Sequence, residues 1–254
     1  MGRDIMSIPA PPADFRIPYG GNEFQFADLR LPTGKGPHPV VIVIHGGFWR
    51  AAYDLLYAGH VAAALTRHGA ATWNIEYRRI GNPGGAYRGT LEDVANAALH
   101  LKKIATLHQL DLDRVVAIGH SAGGHLALWL HSIPLHGVVS LAGVADLRRA
   151  YELKLSNTVV GEFLGGSPEQ YPERYRDADP IQRLPKHVRT RLVHGEKDDT
   201  VPIEIAERYE KAARAAGDDC SLLRFDSDHF DIVDPRSAIW PRVSSAILEL
   251  AGLR

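Results

Sequence analysis

The run Pro39-Val40-Val41-Ile42-Val43-Ile44 is the feature that most narrows the folds open to this chain. Five consecutive β-branched residues with no polar alternation have no face to show to water. Such a segment suits a strand inside a parallel sheet, with helices covering both sides. Further strand-like runs follow at Ala71 to Tyr77, Val115 to Ile118, Val138 to Leu141, Thr190 to Val193 and Leu222 to Phe225. Helical segments fall between them. Tyr57, Val61, Leu65 and His68 mark one. Another starts at Thr90, read as an N-cap with Asp93 in the capping-box position, and buries Leu91, Val94, Ala98, Leu101 and Ala105. Others cover Ala122 to His131 and Ile203 to Ala216, and the last ends near Leu250. Strands alternating with helices mean βαβ units and an α/β fold with a mostly parallel central sheet. Near the start, Phe15 to Tyr19 and Phe24 to Leu31 read as a hairpin around Gly20-Gly21-Asn22.

With 254 residues, one domain over 1–254 is expected. A chain of this length buries about 70–75% of its unfolded surface, so the core needs neither disulfide nor metal. Residues 145–187 break the alternation with Gly165-Gly166, Pro168, Pro172, Pro180 and Pro185. Two readings stand: an insertion that forms a lid or pocket wall before the next strand, or a surface excursion.

Gly119-His120-Ser121-Ala122-Gly123 follows the strand Val115 to Ile118 and opens a helix. A serine hydroxyl is a weak nucleophile and must be held at an exposed, sharp turn beside a base. Small residues two positions either side let a strand turn abruptly into a helix without a Cβ clash. The pattern predicts a nucleophile elbow at Ser121, with His120 as a pocket or structural residue. This elbow resembles that of the α/β-hydrolases, and the resemblance implies that the acid and then the base lie downstream. Strand Leu222 to Phe225 runs into Asp226-Ser227-Asp228-His229, and no other histidine follows His194 among the 13 in the chain. By the same resemblance, which puts the base in the loop after the last strand, His229 is the expected base.

With these segments in order, the chain from Phe15 onward resembles the α/β-hydrolase superfamily. His194-Gly195-Glu196-Lys197-Asp198-Asp199-Thr200-Val201-Pro202 is similar to that superfamily's HGxxDxxVP turn. Position for position, the resemblance makes Asp198 the acid, with Asp199 as its rival. His45-Gly46-Gly47-Phe48-Trp49 and the elbow through Ala127 resemble the small esterase and kynurenine formamidase (arylformamidase) branch. By that resemblance the backbone N–H groups of Gly47 and Phe48, with that of Ala122, form an oxyanion hole. Phe48 and Trp49 either wall an aromatic part of the substrate or pack against the helix near Tyr57. The expected activity is a serine hydrolase acting on small carboxylic esters through an acyl-enzyme. The alternatives are an arylformamidase and, more remotely, a non-catalytic binding protein of the same fold. A formylkynurenine site would need a cation for the substrate carboxylate. Arg50, Arg78, Arg79 and Arg88 are available, each equally readable as ion-paired or solvated.

A net charge of −1 gives no reason to expect nucleic acid or an anionic membrane as partner. No HExxH or other metal-ligand spacing appears, so no metal or other cofactor is expected. The lone Cys220 rules out an internal disulfide and reads as a small residue at the start of a buried strand. Met1 to Pro12 has no apolar stretch of signal-peptide length, and no run reaches 18 apolar residues. Cytoplasmic is the expected location, and the expected partner is a small ester or amide substrate.

Overall fold

The computed structural model describes residues 2–253, with side chains from residue 4 onward. Met1 and Arg254, the two ends of the expected 1–254 domain, lie outside the described residues. Eight strands form one sheet: β1 Phe15–Pro18, β2 Phe26–Arg30, β3 His38–Ile44, β4 Ala71–Ile75, β5 Leu110–His120, β6 Gly137–Leu141, β7 Thr190–Gly195 and β8 Cys220–Phe225. Their spatial order is β1-β2-β4-β3-β5-β6-β7-β8. β1 and β2 pair antiparallel, as do β2 and β4, and every later pairing is parallel. The sheet is mostly parallel and flanked by helices, as the sequence predicts.

The β-branched run explains the layering. Val40, Ile42 and Ile44 of β3 belong to one apolar cluster, and Val41 and Val43 to the other. The first cluster is completed by α2 Gly89–His108, α3 Ala122–Trp129 and α7 Glu204–Ala215. The second takes α1 Ala58–Arg67 and α8 Trp240–Leu250. The five β3 side chains are each no more than 3% exposed. At about 1.5–3 kcal/mol per buried aliphatic side chain, they supply on the order of 10 kcal/mol against the entropy of folding. Cys220 opens β8 and is buried, and that burial pushes its thiol up to about 12, where it is inert.

Residues 145–187 hold α4 Leu147–Glu152, α5 Leu155–Leu164, α6 Pro172–Ala178 and the 3-10 turn Pro180–Arg183. Among the described residues no helix is long and apolar enough to cross a membrane.

The capping box expected at Thr90 does not form. α2 begins one residue earlier, at Gly89. Thr90 Oγ1 donates instead to Arg78 O at 2.6 Å. Asp93 accepts from Arg78 Nη2 at 2.7 Å, from Arg78 Nε at 2.8 Å and from Gln25 Nε2 at 2.7 Å. A charged tertiary partner outcompetes the local cap, and α2 is tied to the chain leaving β4. Asp93 is fully buried, whereas its neighbour Glu92 is 57% exposed and meets Arg88 at only 3.7 Å. Asp93→Ala is therefore expected to cost about 3 kcal/mol in urea unfolding, because it strands a partly buried guanidinium. Glu92→Ala should stay within about 0.5 kcal/mol.

Candidate active site

The parallel strands deliver four loops to one edge of the sheet. β5 ends at His120, and Ser121 follows with φ 56° and ψ −118° before α3 begins. This left-handed serine is held through its backbone. Its N–H donates to Leu141 O at 2.9 Å, and its carbonyl accepts from Gly124 N at 2.9 Å and His125 N at 3.2 Å. The flanking glycines are required by space. A Cβ on Gly119 would lie 2.0 Å from Gly123 O, and one on Gly123 would lie 2.1 Å from Ile44 O. Ala122 is the first residue of α3, where an amide has no acceptor within the helix.

Asp198 and His229 come from the loops after β7 and β8. Asp198 Oδ2 lies 2.6 Å from His229 Nδ1, and both side chains are almost wholly buried. The other carboxylate oxygen accepts from Val201 N at 2.8 Å and Thr200 N at 2.9 Å. His194 Nε2 is shared between Val201 O at 2.8 Å and Asp198 Oδ2 at 3.3 Å. Burial alone would raise the Asp198 carboxyl. The hydrogen bonds from His194 and His229 and the Val201 amide outweigh it and hold the group far below the ordinary carboxylate range. An ionised Asp198 keeps the proton of neutral His229 on Nδ1 and leaves Nε2 as the basic nitrogen. Asp199 is exposed and touches only Thr200 Oγ1, at 3.1 Å.

The loop after β3 carries Gly47, Phe48 and Trp49 at φ 104°, 52° and 56°. Its base is fixed by buried groups. Tyr77 Oη donates to His45 O at 2.8 Å, and Glu76 Oε1 lies 3.0 Å from His45 Nε2. Gly46 N donates to Tyr57 Oη at 2.6 Å. That hydroxyl must then give its own proton to His120 Nδ1, 2.9 Å away. His120 Nε2 carries the remaining proton and donates to His229 O at 3.0 Å. One buried chain of hydrogen bonds thus links the Gly46 loop to the His229 loop.

Ser121, His120, His229, Gly47 and Phe48 line a single cavity of about 550 Å³ together with Met6, Tyr53, Tyr57, Thr200 and Phe230. Asp198 stands behind His229. Trp49 departs from expectation in both its readings. It is fully buried, stacks on Phe163 at 4.8 Å and donates from Nε1 to His125 Nδ1 at 3.2 Å. Consecutive left-handed residues turn Phe48 into the cavity and Trp49 away from it. The 145–187 segment supplies none of the lining side chains. It grips the loop from behind through Phe163, through Ala178 O on His125 Nε2 at 2.9 Å, and through Glu162 on Arg50 at 2.9 Å. None of the four arginines lines the cavity: Arg50 pairs with Glu162, Arg78 with Asp93 and Arg79 with Glu76, and Arg88 is exposed, 3.7 Å from Glu92.

Sequence reasoning did not find Met6, Tyr53, Tyr57, Thr200 or Phe230 as wall residues. Thr200 and Phe230 lie beside expected site residues and were open to discovery. Met6, Tyr53 and Tyr57 come from positions with no motif of their own.

The histidine pair beneath the site predicts a pH effect on stability. Burial first, then the neighbouring His229, hold His120 down to about 3, and burial holds His125 down to about 4. In the unfolded chain both protonate near 6.5, so each withdraws about 1.4 kcal/mol of stability per pH unit as pH falls from 6 to 5. Asp179, pushed up to about 7 by burial, keeps its proton when folded and offsets one of them in that window. The net loss expected from urea unfolding at pH 6 and 5 is about 1.4 kcal/mol. His120→Gln should remove about 1.4 kcal/mol of the loss seen in wild type.

The BD-FAE family profile matches residues 27–132. Esterase LipC of Mycobacterium tuberculosis is 26% identical over 234 residues, which cover 79% of this chain and 55% of that protein. The uncharacterized peptidase YtmA of Bacillus subtilis is 30% identical over 184 residues, 69% of each chain. This chain thus spans about half the length of the first relative and just over two thirds of the second. Among solved structures, an inhibited esterase B from Lactobacillus rhamnosis superposes with a TM-score of 0.83 at 17% identity, covering 99% of this chain and 91% of that one.

Proposed function

We propose that this chain, which belongs to the α/β-hydrolase superfamily, is a serine esterase cleaving small, uncharged carboxylic esters. The observation that carries the reading is the buried Asp198–His229 pair at 2.6 Å, opening with the left-handed Ser121 into one cavity. Ser121 Oγ bonds to the ester carbonyl carbon while its proton passes to His229 Nε2. The N–H groups of Gly47, Phe48 and Ala122 receive the negative charge that develops on the carbonyl oxygen. As the tetrahedral species collapses, the bond to the alcohol oxygen breaks and His229 returns the proton to it. Water then attacks the acyl-enzyme, giving one proton to His229 Nε2. The carboxylic acid departs, and Ser121 Oγ takes that proton back. Asp198 stays ionised throughout and holds the imidazole in its Nδ1–H tautomer.

Formamide hydrolysis would use the same machinery. Esters are favoured because none of the described lining residues carries a fixed positive charge, and none of the four candidate arginines is among them. A substrate carboxylate would lose water without gaining a partner.

A fluorophosphonate probe is expected to label the wild-type chain and leave Ser121→Ala unlabelled. An inert wild type would instead favour a non-catalytic binding protein. Asp198→Asn should lower kcat by about 10³–10⁴-fold, whereas Asp199→Asn should change it by less than about threefold. Rates on short-chain aryl esters should exceed those on N-formylkynurenine. The reverse order would move the assignment to an arylformamidase.

A further inference from the structure

One wall of the cavity comes from far away in sequence. Met6 belongs to the 3-10 turn Gly2–Ser7, yet it lines the same space as Ser121 and His229. Its neighbour Ile5 is 1% exposed, so the turn is anchored by a buried side chain. Further ties are His60 Nε2 to Ile8 O at 2.9 Å and the ion pair between Asp4 and Arg236 at 2.9 Å. The second of these is exposed and adds little. The turn packs on the 3-10 turn Asp231–Val233, which directly follows His229 and Phe230. Met6 itself rests on the apolar cluster that includes Ile232, Val233 and Trp240. The thioether therefore stands on the His229 side of the cavity, and Gly47, Phe48 and Tyr53 belong to the oxyanion-loop side.

The side matters chemically. His229 must hand its proton to the departing alcohol oxygen, so the alcohol part of a substrate has to lie within reach of the imidazole. We infer that Met6 bounds the alcohol-binding side of the site and selects esters of compact alcohols. The inference rests on the serine-esterase reading above. An unbranched thioether fills an irregular gap, and shortening or enlarging it changes the room for the alcohol. One methylene of misfit in an apolar pocket is worth about 10–200-fold in specificity.

The test varies the two halves of the ester separately, with wild type, Met6→Ala and Met6→Trp. Ethyl, butyl and octyl acetates are hydrolysed in a pH-stat, beside p-nitrophenyl acetate, butyrate and octanoate. Met6→Ala is expected to raise kcat/KM for octyl over ethyl acetate by at least about tenfold, and Met6→Trp to lower that ratio. The acyl-series ratios should move by less than about threefold in both. Unchanged alcohol ratios in both variants, or a shift confined to the acyl series, would overturn the assignment. Fluorophosphonate labelling of the same preparations separates the two levels. If wild type does not label, the serine reading fails and this inference falls with it. If all three label at similar rates and the alcohol ratios stay flat, Met6 alone was misassigned.

Discussion

Backbone pressed against backbone is the constraint on which the site depends. The elbow around Ser121 approaches the end of β3 so closely that a Cβ on Gly123 would meet the carbonyls of both Ile44 and His45, at 2.1 and 2.5 Å. From the opposite side, a Cβ on Gly46 would lie 2.6 Å from His120 O and 2.9 Å from Ser121 Cβ. Neither contact can relax by a side-chain rotation. The turn at Ser121 and the loop after β3 therefore behave as one rigid unit, as expected of interiors packed at crystal density. Parallel pairing of β3 with β5, ending at Ile44 opposite Gly119, sets this approach. The local geometry of the serine is thus a consequence of sheet register.

The third loop joins that unit through hydrogen bonds. The chain Gly46–Tyr57–His120–His229 has a fixed sense of donation, because its two ends are an amide donor and a carbonyl acceptor. It requires His120 to be neutral, and burial enforces this. On the other flank, Trp49 and Arg50 are gripped by the 145–187 segment. Phe48 lies between these two grips and is presented to the cavity. Holding a loop of left-handed residues in place takes buried partners on both sides, since each such non-glycine residue costs on the order of 1–3 kcal/mol.

Much of this could be read in the sequence because it is written in short-range patterns. The β-branched run marked the central strand, the small residues around Ser121 marked the turn, and Leu222 to Phe225 running into Asp226 placed His229 at a strand end. The structure brings Asp198 to His229 and leaves Asp199 exposed, a choice the sequence leaned towards only through resemblance. What escaped depends on long-range competition. Thr90 and Asp93 have the right types for a local cap, but Arg78 and Gln25 take them instead. Trp49 follows a cavity residue in sequence, yet one backbone step in the left-handed region sends it to Phe163. Met6 comes from a segment with no motif and Tyr57 from a helix pattern that says nothing of a site, 115 and 64 residues before the serine, so no spacing rule would have placed them there.

The distribution of charge narrows what such a site accepts. Asp198 is a fully buried carboxylate, tolerable because two amides and two imidazoles surround it. Its field is spent on His229 at 2.6 Å, with the imidazole between it and the cavity. The remaining walls are a thioether, aromatic rings, a threonine and backbone. On the proposed reading, a neutral ester entering this space gives up little hydration and meets amide dipoles placed for a charge that appears only as the carbonyl is attacked. Preorganised donors of that kind favour the transition state over the ground state. An anionic substrate would instead bring its charge into the ground state, where no cation among the described wall residues answers it. On the proposed reading, this lack of charge among the described wall residues suits apolar esters and argues against a carboxylate-bearing formamide.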